Sequence, residues 1–296
     1  MFSSARANFK TRCGYLIIAV IALAGLLAPL IVPSESDLSP FCVHLSRANL
    51  PLLADGHFLG TDALGRDLAS LLIWGARTSL LVGLCSALAA ITIGSLWGSV
   101  SALSGGLVEA FMMRLVDVLL AVPNIVLLLF VAALINDLPY RHFLPAFLID
   151  LLGITSYSNG LLPLLTVIVI ISATTWLEVA RLTSARIKSI LSEDYIQAAV
   201  AQGLSFWQLT IKHLLPNAAT IITVEGSLLV ADAILSEAGL SFLGLGIGPA
   251  TPSWGSMLNS AQQSLLLGNW WSVVAPGVMI TGTVLGIQLI SRKQEQ

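Results

Sequence analysis

Long apolar runs alternate with short polar breaks along this chain, and the runs have the length of membrane-spanning helices. A helix needs about 20 mostly apolar residues to cross a bilayer. Six stretches meet that requirement: 14–33, 78–103, 108–135, 161–182, 217–240 and 270–290. The pattern therefore predicts an all-α, polytopic membrane protein with six spans. A shorter apolar run at 143–154 lies in an external insert, 136–160, and is predicted to be interfacial or re-entrant.

Lys and Arg residues orient the predicted spans, because cytoplasmic loops of membrane proteins are enriched in them. With the N-terminus inside, ten of the 14 basic residues are cytoplasmic, and only Arg47, Arg66, Arg77 and Arg141 are outside. A seventh span at 143–154 would move the basic residues of 181–212 outside. Both chain ends are therefore predicted to be cytoplasmic. Residues 1–13 form a tail, and 14–33 is predicted to be a retained helix rather than a cleaved signal peptide.

The longest polar interruption in the second half of the chain, 192–216, contains two short helical patterns. Ser192 is placed to cap the first helix, and two acidic residues follow it at the positive end. Gly203 is predicted to end that helix in a left-handed conformation, and Pro216 to stop the second. The stretch is either a helix–turn–helix that docks in a partner's groove or a connecting loop without a partner.

Three acidic residues interrupt the predicted span 217–240: Glu225, Asp232 and Glu237. Carboxylates are costly inside a membrane and usually face an aqueous path or a partner. Glu225 and Asp232 are seven residues apart, close to the same helix face. They are candidates for lining a transport pathway, with hydrogen-bonded bundle residues as the alternative. Glu237 lies near the outer end and is predicted to be structural.

The first external segment, 34–77, begins irregularly and then contains short polar runs flanked by glycines, which predict tight turns. Asp62 and Asp67 are placed to bond the local backbone or Arg66. Helical spacing from Leu68 onward predicts an interfacial helix before the span at 78–103.

Two charged residues mark the cytoplasmic end of the predicted span 108–135. Arg114 and Asp117 are three residues apart and are predicted to form a local ion pair, with substrate contact as the alternative. Pro123 is predicted to kink the same helix.

Composition excludes several classes of function. The chain is 56% hydrophobic and 10% charged, whereas soluble domains carry about 25% charged residues. A net charge of −2 without a basic block argues against a nucleic-acid partner. The three scattered cysteines do not predict disulfides, and the four histidines have no metal-ligand spacing. No P-loop lysine occurs, so the chain is not expected to use ATP itself or to be an enzyme.

Four separated groups of motifs, covering about residues 57–290, resemble a single family. They are LGTDALGRD (59–67) with GARTSLLVG (75–83), MRLVD (113–117) with Pro123, QAAVAQG (197–203) with HLLP (213–216), and LSEAGLSFLGLG (235–246) with PSWG (252–255). The family is that of the permeases of ATP-binding-cassette (ABC) importers, in the C-type branch for dipeptides, oligopeptides and nickel. The third group resembles its EAA coupling loop, with Gln197 in place of the usual glutamate.

The resemblance implies a cytoplasmic coupling loop at 184–216 that inserts into an ATPase subunit. The residues that would carry this coupling are Glu193, Asp194, Gln197, Ala198, Ala199, Gly203, Leu215 and Pro216. The implied partners are two cytoplasmic ABC ATPases, which use the ATP, a second homologous permease, and an extracytoplasmic solute-binding protein. The implied location is a bacterial inner membrane, and the permease domain is 14–296.

The implied cargo is a dipeptide, an oligopeptide or a nickel or other metal chelate, with antimicrobial peptides or polyamines as the alternative. Two rival functions come from other classes. An ion-coupled secondary transporter would use Glu225 and Asp232 as proton carriers, and a membrane scaffold or receptor would transport nothing. Neither rival accounts for the coupling loop.

Overall fold

The computed structural model describes residues 2–33, 38–137, 161–194, 196, 197, 203, 208, 212 and 214–294. Within these residues the chain is helical, without a named strand, and the predicted all-α class is confirmed. The elements are α1 (Phe2–Leu26), α2 (Ala28–Ile31), a 3-10 turn (Leu45–Arg47), α3 (Leu68–Ser104), α4 (Gly106–Leu120), α5 (Asn124–Asp137), α6 (Leu161–Leu191), α7 (Leu215–Phe242), α8 (Trp254–Leu266) and α9 (Trp271–Gln294). The apolar run at 143–154 lies outside the described residues.

Three described helices are long and apolar enough to cross a membrane: α3, α6 and the Trp271–Ser291 part of α9. The pair α4 and α5 qualifies as a fourth if it forms one broken span. The predicted spans 14–33 and 217–240 fall mainly within α1–α2 and α7, and α7 carries the three acidic residues. The six-span count therefore stays a prediction.

The interfacial helix and the span predicted separately in the first half of the chain are one helix, α3. It begins at Leu68, ten residues before the predicted span, because Asp67 caps it by accepting the Ser70 N–H at 2.8 Å. Its 37 residues give a length of about 55 Å. α3 therefore extends from the external segment to the far end of the bundle.

The predicted single span 108–135 is instead two helices, and Pro123 lies at the break. α4 and α5 meet at 95°. Proline has no N–H to donate and clashes with the preceding turn, so it ends a helix. Its carbonyl accepts the N–H groups of Val126 and Leu127 at 2.9 and 3.1 Å, which starts α5. The predicted kink is thus a full break.

Small residues on α3 set its distance from α6. A Cβ added at Gly94 would lie 2.5 Å from the Cβ of Val179, and one at Gly98 would lie 2.5 Å from the Ala180 carbonyl oxygen. Any larger side chain at either position would push the two helices apart. Close backbone approach at glycine is typical of helix packing in membranes.

Three element boundaries differ from the predictions. Residues 2–13, predicted to be a tail, belong to α1. α6 continues to Leu191 and α7 begins at Leu215, so both ends of the loop predicted at 184–216 are helical. α8 begins at Trp254, inside the motif at 252–255, where no helix was predicted; Ser253 caps this helix with a reciprocal Ser253–Ser256 capping box.

Candidate functional site

The connection between α6 and α7, residues 192–214, is here called the coupling segment. It is anchored at both ends by apolar side chains, since Ile196 and Leu214 are fully buried. They pack in one cluster with Ala102, Ile187 and Ile190. The ends of α3 and α6 therefore hold the coupling segment against the bundle.

The polar side chains at the start of the coupling segment point to the surface. Glu193, Asp194 and Gln197 are exposed, directly beside the buried Ile196. The Glu193 carbonyl accepts the N–H groups of residues 196 and 197 at 3.0 and 3.1 Å. The short helical turn therefore begins one residue later than predicted. Ser192 instead donates its hydroxyl to the Ser189 carbonyl at 2.7 Å and serves the end of α6.

Gly203 has the predicted left-handed conformation, with φ of +80°. It is exposed, and a Cβ added there would meet no heavy atom of the described residues within 4 Å. A side chain at this position is therefore strained by its backbone rather than by crowding.

The remaining residues of the predicted coupling set flank this glycine. Ala198 and Ala199 lie outside the described residues. Leu215 and Pro216 form the first turn of α7, so the prediction that Pro216 stops a helix is wrong. Proline suits a first helical turn because its missing N–H has no partner there.

A cleft of about 500 Å³ opens between α4, α6 and α7. Glu178 and Arg181 of α6 and Glu225 of α7 line it, together with Leu120, Leu182 and Ala185. The carboxylates of Glu178 and Asp232 are close enough to Glu225 to interact with it electrostatically. Asp232 is exposed. The two acidic residues singled out in the sequence thus share their surroundings with a third, from another helix.

The predicted ion pair between Arg114 and Asp117 is wrong. Asp117 instead lies 4.0 Å from Arg181, with both side chains exposed. A second pair joins α4 to α6 through Glu109 and Lys188. Arg114 and Asp117 share a helix face, but the packing of α4 on α6 offers Asp117 a cation that local spacing could not reveal.

The other end of the bundle contains buried polar groups that bond one another. Asp62 accepts the backbone N–H and the side-chain Nε of Arg66, both at 2.8 Å, as its position predicted. Arg66 also donates to the Pro249 carbonyl at 2.9 Å. Asp67 lies 2.9 Å from His57 Nδ1. We call residues 57–67 and 237–256 the cap.

Glu237 is fully buried in the cap, and its prediction as a structural residue is confirmed. Its carboxylate accepts hydrogen bonds from Ser241 and Ser253, both at 2.8 Å, and from Ser79 at 3.1 Å. Ser79 also accepts the Trp254 N–H at 3.2 Å. The carboxylate thus joins α3, α7 and α8.

A family model described as "Binding-protein-dependent transport system inner membrane component" matches residues 90–295. The match includes the coupling segment, the cleft and Glu237. The chain belongs to this family. It is the membrane permease component of an ABC importer and a multi-pass inner-membrane protein, as the motifs predicted.

Curated relatives of the permease are transport proteins. It is 31% identical to the dipeptide transport system permease protein DppC of Bacillus subtilis, over 91% of this chain and 78% of the relative. It is 32% identical to the oligopeptide transport system permease protein OppC of the same species, over 96% and 83%. It is 36% identical to the di/tripeptide transport system permease protein DppC of Pseudomonas aeruginosa, over 78% and 68%.

Sequence reasoning missed two features of the permease site. Glu178 was not among the predicted site residues, and nothing in its local spacing links it to Glu225, 47 positions later. The bond from Arg66 to Pro249 joins residues 183 positions apart. An acidic residue within an otherwise apolar helix was the available signal for Glu178, the same signal that marked Glu225 and Asp232.

Proposed function

We propose that this permease pairs with a second, homologous permease to frame a pathway through which peptides enter the cell. Two cytoplasmic ABC ATPases drive the cycle, and an extracytoplasmic solute-binding protein delivers the cargo. The dipeptide and oligopeptide carriers among its relatives support the choice of peptides. The chain itself contributes no catalytic group and binds no cofactor; its ATPase partners hydrolyse the ATP.

The observation that carries the coupling role is the contrast across one helical turn. Ile196 is fully buried against the ends of α3 and α6, while Glu193, Asp194 and Gln197 beside it are exposed. Such a segment presents a polar surface to a partner and is fixed to the bundle by its apolar side. Movement of the partner is therefore transmitted to α3 and α6.

The ATPase-contacting residues are Glu193, Asp194, Gln197, Ala198, Ala199 and Gly203, with Leu215 and Pro216 starting the helix that receives the movement. ATP binding would favour one arrangement of the bundle over another, and the pathway would open alternately to each side. A partner shifts such an equilibrium only by binding one arrangement more tightly.

The pathway is lined by Glu225 and Asp232, and we add Glu178 to them because it lines the same cleft as Glu225. The orientation follows from the basic residues: the coupling segment and both chain ends are cytoplasmic, and the cap is outside. An acidic, partly apolar cleft suits a cargo that carries a protonated amino group.

Substitution of Gly203 by Glu tests the coupling role. Both the left-handed backbone strain and the added charge act where the ATPase docks, so ATP-driven peptide uptake by the reconstituted transporter should fall at least about ten-fold, equivalent to about 1.4 kcal/mol. The bundle should still assemble. Gly268→Glu is the matched control, because Gly268 has φ of +90° and equally open surroundings.

Normal uptake by Gly203→Glu would contradict the coupling role. Uptake by this chain alone, abolished by an uncoupler and indifferent to loss of the ATPases, would instead support the ion-coupled carrier.

A further inference from the structure

The bonding of Glu237 has a geometry that stability alone does not require. The carboxylate is fully buried, and the ion pairs of the described residues do not include it. Burial of a carboxylate is costly unless hydrogen bonds compensate for the lost water. Apolar side chains of similar size often hold helices together equally well. What the carboxylate adds is direction, because each hydroxyl must approach one of its oxygens at a set angle.

Those directed bonds fix the beginning of α8. Ser253 donates to Glu237 and also caps α8, so one residue ties the helix start to α7. Ser79 donates to Glu237 and accepts the Trp254 N–H, which ties the same helix start to α3. The Trp254 side chain is fully buried and donates to the Leu72 carbonyl at 3.2 Å. The position of α8 is thus set relative to two long helices.

The rest of α8 and the turn before it are tied to the external segment. Ser264, near the end of α8, donates to the Asn49 side chain at 2.9 Å. Arg66 donates to the Pro249 carbonyl in the turn before α8. The cap, α8 and the beginning of α3 are therefore one connected unit.

The same helix connects this unit to the opposite end of the bundle. α3 runs without interruption from Leu68 to Ser104, about 55 Å. Ala102, in its last turn, packs in the cluster that contains Ile196 of the coupling segment. One helix therefore contacts both the cap and the segment proposed to contact the ATPase.

We propose that Glu237 is a positioning residue that makes the cap and α3 move as one unit, so that a solute-binding protein docked on the cap changes ATP hydrolysis at the coupling end. This inference rests on the proposed function, because it needs both partners. It assigns Glu237 a task that is not pathway lining or ATPase docking. Without the carboxylate, α8 would still be bonded to α3 through Trp254, but the bonds through Ser79 and Ser253 that hold α3, α7 and the start of α8 together would be lost.

The test measures ATP hydrolysis by the complete transporter in lipid nanodiscs, with and without the solute-binding protein and an equimolar dipeptide mixture. Glu237→Ala should keep the basal rate within about two-fold of the wild-type rate. Its stimulation by the binding protein should be at least about five-fold smaller than that of the wild type, which is the lower end of typical allosteric coupling. Glu237→Gln retains one acceptor oxygen and should keep part of the stimulation that Glu237→Ala loses. Hydrogen exchange of residues 254–266 in the same complex should rise in Glu237→Ala.

Single hydroxyls give a milder test if Glu237→Ala does not assemble. Ser79→Ala removes one of the hydroxyl groups that donate to the Glu237 carboxylate and should lower the stimulation by the binding protein. Ser86→Ala is its control on the same helix, because the Ser86 hydroxyl is equally buried and bonds no described residue. This variant should be stimulated like the wild type.

Three results overturn the inference, and they are distinguishable. Stimulation that persists unchanged in Glu237→Ala, while exchange of α8 rises, would show that the carboxylate only stabilises the cap. Equal loss of stimulation in Ser79→Ala and Ser86→Ala would show that the effect is not specific to this cluster. A wild-type transporter that does not respond to the binding protein would remove the proposed function, and this inference with it.

Discussion

The two ends of this permease bundle are both polar interruptions of an apolar chain, yet they are built in opposite ways. At the cap, Glu237 and Arg66 are buried and bond other protein groups. At the coupling segment, Glu193 and Asp194 are exposed, and the buried residues are apolar. Buried, satisfied polar groups fix a structure, whereas exposed charges over an apolar anchor leave a surface available to a partner.

The difference separates variants that should unfold the protein from variants that should only uncouple it. Substitutions at the cap break bonds that have no replacement inside the protein, so their effect should appear in stability, in addition to the loss of stimulation expected at Glu237. Side chains on the exposed face of the coupling segment are in water in both the folded and the unfolded protein, so substitutions there should change stability little. Their effect should appear in ATPase binding and in ATP-driven transport. Four predictions test this separation, from the largest expected effect to the smallest.

The largest effect is expected at Arg66. Arg66→Ala leaves the buried Asp62 carboxylate without its cation, which should lower the free energy of unfolding by about 3–5 kcal/mol. Arg77→Ala is the control, because Arg77 is exposed and contacts the Trp74 ring at 5.8 Å, an interaction worth about 1 kcal/mol. Denaturant titrations in detergent micelles measure both. An equal loss of unfolding free energy in the two variants would show that the bonds of Arg66 do not stabilise the cap.

The apolar anchor of the coupling segment should give the next effect. Ile196→Ala leaves a cavity beside Ala102 and Ile187, with an expected cost of about 2–4 kcal/mol. Because the anchor joins the segment to the bundle, transport should also fall more than ATP hydrolysis does. Hydrolysis and uptake measured together in proteoliposomes check this. If both fall equally, the anchor stabilises the fold without transmitting movement.

The contact between α3 and α6 connects the two ends and should respond to a single methyl group. In Gly98→Ala the new Cβ meets the Ala180 carbonyl oxygen at 2.5 Å, and overpacking of this kind costs about 1–3 kcal/mol. Gly282→Ala is the control, since its added Cβ has no heavy atom of the described part of the chain within 4 Å. Gly98→Ala should lower the midpoint of thermal unfolding, whereas Gly282→Ala should not. The same change in both variants would contradict the close approach of the helices.

The smallest effect on stability is expected on the exposed face of the coupling segment. Glu193→Gln and Asp194→Asn should each change the free energy of unfolding by less than about 0.5 kcal/mol, because both side chains are exposed. ATPase binding should weaken and lose part of its salt dependence. Binding of the purified ATPase at two salt concentrations measures this. A stability loss as large as that of Arg66→Ala would remove the contrast between the two ends.

Local chemistry in the sequence predicted much of this structure. The left-handed Gly203, the bonds of Asp62 to Arg66, and a bend at Pro123, predicted as a kink and observed as a break, each depend on residues within a few positions of one another. The acidic residues of α7 were visible because carboxylates are rare in apolar helices.

Features that depend on distant contacts could not be predicted in the same way. The partner of Asp117 is on α6, and the hydroxyls that bond Glu237 come from α3, α7 and the start of α8. The length of α3 was missed because the interfacial helix and the span were predicted as separate elements, whereas one helix continues through both. Pro216 was misassigned because proline favours both a helix end and a first turn.

The location of the coupling segment is the claim on which the proposed function depends most directly. Gln197 can be replaced by Cys after Cys13, Cys42 and Cys85 are changed to Ser, and a membrane-impermeant maleimide then applied to intact cells and to inverted vesicles. We predict labelling only in inverted vesicles, and protection when the ATPase subunits are present. Labelling of residue 197 from outside intact cells would contradict a cytoplasmic coupling segment.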